Sequence, residues 1–122
     1  MPKAVTSSPH SGRGFVPLRP GSRFASIYRT GIRTRRGGLT VLAAAGQSES
    51  PEVGVVAGKK VGNAVNRNRA KRRMREAAAR APLSPGRAYV LIASPPVTDV
   101  AFDELVEWTK AGVLDVAEKD SP

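Results

Sequence analysis

The segment 58–76, GKKVGNAVNRNRAKRRMRE, concentrates the side chains best able to do chemistry in this chain. Arg67, Arg69, Lys71, Arg72, Arg73 and Arg75 crowd into one short stretch. A guanidinium is a planar fork of five donors that clamps a phosphate through two parallel hydrogen bonds. Asn63, Asn66 and Asn68 add amides that can meet sugar hydroxyls or base edges. The chemistry is anion capture rather than bond making. On a helical wheel starting at Arg67, Lys71, Arg75, Arg72, Arg69 and Arg73 fall at about 40°, 80°, 140°, 200° and 240°. Such a spread predicts contact with a polyanion on more than one side of the helix. A solvated charged face is the commoner meaning of such a pattern. Here Glu76 is the sole carboxylate in residues 59–80, too little acid to neutralise the neighbouring cations.

Other chemistries are poorly supplied. The chain has no cysteine, which excludes disulfides and thiolate sites, and its single histidine is His10. Asp99, Asp103, Glu104 and Glu107 gather at a helix start, where carboxylates complement the helix dipole. The run from Gly54 to Lys60 resembles a phosphate loop only faintly, because the glycine spacing is short and no Ser or Thr follows the lysine. Gly58 to Gly62 is GxxxG, not the GXXG clamp of a KH domain. No pair of side chains builds a general acid and base within the protein.

The 122 residues suffice for one domain. No apolar run approaches the ~20 residues of a membrane span, and no apolar region near the start reads as a signal peptide. The net charge of +10 is unevenly placed: +8 in residues 1–37, −2 in 38–58, +8 in 59–80 and −4 in 81–122. Clustered cations are the footprint of a nucleic-acid binder.

The elements that must position these groups follow from pattern. Residues 1–20, rich in Ser, Gly and Pro, read as a flexible basic tail, with a single domain over 21–118 and a second short tail at 119–122. A first helix is expected with Ser22 as its cap, Phe24, Ile27 and Tyr28 on one face, and Gly31 as its stop. Apolar runs at 39–45 and 53–57 read as an antiparallel pair joined by a turn, with a further short strand possible at 32–35. The strongest helix covers 63–80, capped by Asn63, with Ala70, Met74, Ala77, Ala78 and Ala81 as a narrow apolar stripe. Residues 89–93 are apolar on both alternating faces and read as a central strand, stopped by Pro95 and Pro96. A last helix, capped by Thr98 or Asp99, buries Phe102, Leu105, Val106, Thr109, Val113 and Val116, with an end or bend expected at Gly112. Trp108 and Leu114 fall outside that stripe, and packing against a loop is expected. The fold class is α+β: a small sandwich in the order α-β-β-(β)-α-β-α, with the basic helix packed on a mostly antiparallel sheet.

KKVGNAVNRNRAKRRMRE closely resembles the signature of the bacterial ribonuclease P protein subunit. RFASIYRTG upstream, VGVVAGKK leading into the motif and YVLIA before the closing helix match at the expected distances. The resemblance spans about residues 19–117. It implies a cytoplasmic protein that binds a large catalytic RNA, in a 1:1 complex that removes the 5′ leader from precursor tRNA. It also implies that the RNA carries the chemistry, with Mg2+ held mainly by the RNA and its substrate, and that neither a membrane nor a small-molecule substrate takes part. By the same resemblance Arg67, Asn68, Arg69, Lys71, Arg72 and Arg75 face the catalytic RNA, and Asn63 helps position RNA or metal ions. Phe24 and Tyr28 would line a leader cleft, with Val56 and Gly58 in its floor and Lys59 and Lys60 at its edge.

One departure stands out. The strand after the first helix reads LTVLAAA, with Leu39 and Leu42 where many relatives carry aromatic rings. Stacking is worth about 1–3 kcal/mol per base in single-strand binders, so leader contact is expected to be weaker or more electrostatic. Two rival functions fit the composition, a basic ribosomal protein and a DNA-reading helix module; the nucleic acid that co-purifies would separate them.

Overall fold

The structure is a computed structural model and describes residues 14–19 and 21–120. The elements in chain order are β1 (Val16–Pro17), α1 (Ser22–Thr30), β2 (Ile32–Arg36), β3 (Leu39–Ala45), β4 (Glu52–Ala57), α2 (Ala64–Ala78), β5 (Arg87–Ala93) and α3 (Phe102–Lys119). Short 3-10 turns at Lys59–Val61 and Pro95–Thr98 precede α2 and α3. The five strands form one sheet in the order β1-β4-β5-β3-β2. The α+β class agrees with the sequence reading, and the order of elements fits it from α1 onward, with β1 preceding the expected order. Two of the four strand pairings are parallel, so the sheet is mixed rather than mostly antiparallel, because β4 reaches β5 through a helical crossover.

The expected hairpin of 39–45 with 53–57 is not formed. β5 lies between the two strands, antiparallel to β3 and parallel to β4. Its residues are apolar on both faces, so the centre of the sheet buries more of them than an edge would. The loop after β3 runs past the start of β5, where Gly46 N–H donates to the Gly86 carbonyl and Gly86 N–H to that of Glu49. The parallel pair β4 and β5 is connected through α2, as a crossover requires.

Each sheet face carries its own core. On one, Leu39, Val41, Ala43, Val53, Tyr89 and Leu91 pack with α2 and α3. On the other, Leu42, Ala88 and Val90 pack with Ile27 of α1 and with Leu18. The expected tail boundary at residue 20 therefore moves: Phe15 and Leu18 are buried, and Val16–Pro17 pairs in parallel with β4. Hydrophobic burial at an edge strand sets this start, which Pro and Gly content alone conceals. Residues 1–13 of the expected tail lie outside the described residues.

α2 begins as expected, with Asn63 Oδ1 accepting the Asn66 N–H at 2.9 Å. Ala70, Met74, Ala77 and Ala78 are buried, and Ala81, beyond the helix, is half-buried. Small side chains let the helix sit close to the sheet, and full burial of Met74 is worth about 2 kcal/mol. At the other helices the expected caps shift. Gly21 occupies the cap position of α1, and Ala101 that of α3 without any side-chain cap bond. Gly31 does end α1, its N–H donating to the Ile27 carbonyl.

Gly112 neither ends nor bends α3, which continues to Lys119. It is buried where a Cβ would lie 2.6 Å from Val41 Cγ2, so the glycine serves close helix–sheet packing. Trp108 meets the β2–β3 turn: a Cβ on Gly37 (φ +56°) would fall 2.0 Å from its Cε2. Leu114 is exposed.

Candidate nucleic-acid interface

Burial sorts the cations of α2. The stripe around Ala70, Met74, Ala77 and Ala78 sinks into the sheet and takes its flanks with it. On one flank Arg67 and Lys71 are half-buried, and Arg67 Nε is enclosed without a hydrogen-bond partner among the described residues. On the other flank Arg73 donates to the carbonyls of Thr98 at 3.2 Å and of Val100. Burial, and then the charge of Arg69, pulls the Arg73 guanidinium below its ordinary pKa. Arg69 Nε also donates to the Thr98 carbonyl, at 3.1 Å, although its side chain is otherwise exposed.

The outward arc holds Arg75, Asn68, Arg72 and Arg69, all exposed, at about 80°, 100°, 140° and 200° on the wheel. Of the cations expected to meet a polyanion on more than one side of the helix, these are the ones that packing leaves exposed. The clasp of Arg69 and Arg73 on the segment 98–100 escaped the sequence reading, since its acceptors are backbone carbonyls and leave no side-chain signal. Asn63 is exposed at the start of the helix, its oxygen already committed to the cap.

The second group of residues assembles on the opposite sheet face. Phe24 lies across Gly54, where a Cβ would fall 2.3 Å from the ring's Cζ. Tyr28, one helical turn on, is 38% exposed, so its ring is available to a ligand. Beyond α1 the sheet is less covered: Thr40, Val56 and Ile92 are half-buried, whereas Leu42 and Val90 under the helix are completely buried. The result is a shallow groove with an apolar floor and α1 as one wall. Gly58, Lys59 and Lys60 are exposed where β4 leaves the sheet. Buried Val61 pins this turn, and Gly62, at φ +131°, takes a backbone conformation that favours glycine. The turn carries the chain from the groove face to α2 on the other side.

Fold and surface together define a small α+β sandwich with a strongly basic helix packed on one face of its sheet. A family model described as Ribonuclease P matches residues 15–116, and the chain belongs to that family. The ribonuclease P protein component of Ruegeria pomeroyi is 44% identical over 117 residues, covering 88% of this chain and 89% of that protein. That of Pseudarthrobacter chlorophenolicus is 38% identical over 93 residues, covering 74% and 68%. The RNase P protein of Staphylococcus aureus shares the fold, with a TM-score of 0.67 at 24% identity, covering 84% of this chain and 94% of that one. That of Thermotoga maritima gives a TM-score of 0.67 at 23% identity, covering 87% and 98%.

Membership assigns the chain to the RNA partner and the tRNA 5′ processing of ribonuclease P. No helix among the described residues is long and apolar enough to cross a membrane. Among the described residues no group of three His, Cys, Asp or Glu side chains converges as a metal site.

Proposed function

We infer that the chain uses the two faces of its sheet for two RNAs. The outward arc of α2, with Asn63, Arg67 and Lys71 at its margins, binds the catalytic RNA of ribonuclease P. The groove under Phe24 and Tyr28, floored by Val56 and Gly58 and edged by Lys59 and Lys60, takes the 5′ leader of precursor tRNA. Catalytic groups and Mg2+ belong to the RNA and its substrate in this reading. The complex is one protein to one RNA, in the cytoplasm, and leaves a 5′-phosphate on the mature tRNA. The observation that carries the reading is the placement of these two surfaces on opposite faces of one sheet. Assembly and leader binding are then separable by mutation.

The test is a pair of titrations on preassembled holoenzyme at saturating protein, with precursor and with mature tRNA. Tyr28→Ala weakens precursor binding by about 1–3 kcal/mol, the worth of one stacked base, and leaves mature tRNA unchanged. Arg72→Ala, at a side chain exposed on the outward arc, instead weakens assembly with the catalytic RNA and lowers its salt dependence, as loss of a phosphate contact demands. Equal losses for both tRNAs on Tyr28→Ala would remove the leader from the groove.

A further inference from the structure

We propose that Arg33 and Arg35 on edge strand β2 form a phosphate-binding wall at the open end of the groove, gripping the single-stranded leader beyond Tyr28. The proposal rests on the leader-groove reading and adds to it residues outside the motif. Alternation along β2 divides its side chains by partner. Thr34 and Arg36 turn towards α3 and both bond Asp115, Arg36 through two contacts of 2.5 and 2.7 Å. Arg33 and Arg35, paired with Leu42 and Thr40 of β3, must therefore face the other way, on the side of α1 and the groove.

The two groups differ in charge balance as well as direction. Arg36 is neutralised by Asp115. Among the described residues Arg33 has no side-chain hydrogen bond or ion pair, and its backbone carbonyl accepts from Lys119 Nζ at 2.8 Å, which ties the strand to the end of α3. Among the described residues Arg35 meets only neutral acceptors, the Gly37 carbonyl at 3.3 Å and Ser94 Oγ at 3.4 Å. Those contacts hold its guanidinium over the end of the sheet where Thr40 and Ile92 are half-buried. The carboxylate on the groove face, Glu52, is taken by Arg23.

Two cations at alternate positions of a strand stand about 6.6 Å apart, a spacing suited to successive phosphates of an extended strand. The floor gives further reason for a charged wall. Leu42 is fully buried and Thr40 and Ile92 carry no ring, so bases crossing β3 and β5 find nothing to stack on. Grip on this stretch must come from the backbone phosphates. Single-stranded RNA is the matching partner because the cations stand at the spacing of successive phosphates along one extended strand, beside a half-buried strip of sheet.

Holoenzyme carrying Arg33→Gln and Arg35→Gln together is titrated with precursor tRNA bearing an extended leader, with a leader trimmed to one nucleotide, and with mature tRNA. The extended leader binds about three- to tenfold more weakly, and its salt slope falls by about 1.4, at about 0.7 per phosphate contact on a single strand. The trimmed leader, mature tRNA and protein–RNA assembly are unchanged, and the double Arg→Lys variant restores most of the lost affinity. Unchanged affinity and salt slope for the extended leader would overturn the wall as a solvated face. Equal weakening for mature tRNA, or weakened assembly, would overturn it in favour of the catalytic RNA. Tyr28→Ala measured alongside separates the two failures: if it still discriminates precursor from mature tRNA, only the wall is lost.

Discussion

Arg23 of α1 and Glu52 of β4 are joined by two hydrogen bonds, of 2.6 and 3.1 Å, with side chains only 12% and 7% exposed. Glu52 Oε1 also accepts the Gln47 N–H at 2.7 Å, so one carboxylate ties the first helix, the β3–β4 loop and the sheet together. This pair fixes where α1 crosses the sheet, and thereby the wall of the groove.

Removing one partner strands the other in a nearly closed site. Glu52→Gln is expected to cost about 3 kcal/mol in urea unfolding, near the lower limit for breaking a buried pair. The hydrogen bond from Arg23 is the main cause that holds the Glu52 carboxyl below its ordinary pKa. Stability from a lowered carboxylate is complete above its unfolded value, about 4.3, and is lost as pH falls through the folded one. The stability gap between wild type and Glu52→Gln should therefore be constant near neutrality and close in acid. A gap independent of pH would show that Glu52 acts by packing alone. Asp115, lowered first by its hydrogen bond from Arg36, loses its contribution in the same direction.

Gly112→Ala sets helix propensity against packing. Alanine in a helix interior gains about 1 kcal/mol over glycine. The new Cβ would meet Val41 Cγ2 at 2.6 Å and Cβ at 3.2 Å, and Val41 is completely buried with a stiff, branched side chain. Overpacking costs about 1–3 kcal/mol, so the variant should be less stable than wild type by chemical unfolding. Adding Val41→Ala should recover part of the loss. A stabilised single variant would mean that helix and sheet separate easily.

Gly54→Ala aims the same argument at function. Its Cβ would displace the Phe24 ring, 2.3 Å from Cζ, and with it the inner wall of the groove. Precursor binding should weaken relative to mature tRNA, while assembly with the catalytic RNA is preserved. The tRNA titrations already described read this directly. Parallel losses for the two tRNAs would place the ring in the core only.

Neighbouring arginines of α2 should behave oppositely. Arg73→Ala leaves the Val100 carbonyl without its side-chain donor and the Thr98 carbonyl with Arg69 alone, and is expected to destabilise the fold by about 1–3 kcal/mol. Arg72→Ala, exposed next to it, should change stability by less than about 0.5 kcal/mol yet weaken assembly with RNA. Thermal unfolding and RNA titration of the two variants decide the matter. Comparable stability losses would refute the separation of buried flank from outward arc.

The sequence by itself determined α2, its Asn63 cap and its buried stripe, the stop at Gly31, the central character of β5 and the crowding of cations in the motif. Capping, periodicity and charge scarcity act between residues a few positions apart, so they are readable along the chain. Only the tertiary structure decided that β5 separates β3 from β4, that Phe15 and Leu18 belong to the core, and that α3 passes straight through Gly112. It also decided which arginines of α2 face outward, because Arg73 is claimed by carbonyls 25 and 27 residues away. The direction of Arg33 and Arg35 likewise depends on Asp115, about eighty positions distant, drawing Thr34 and Arg36 to the other face. Strand pairing and desolvation are settled between segments remote in sequence, and no local pattern records them.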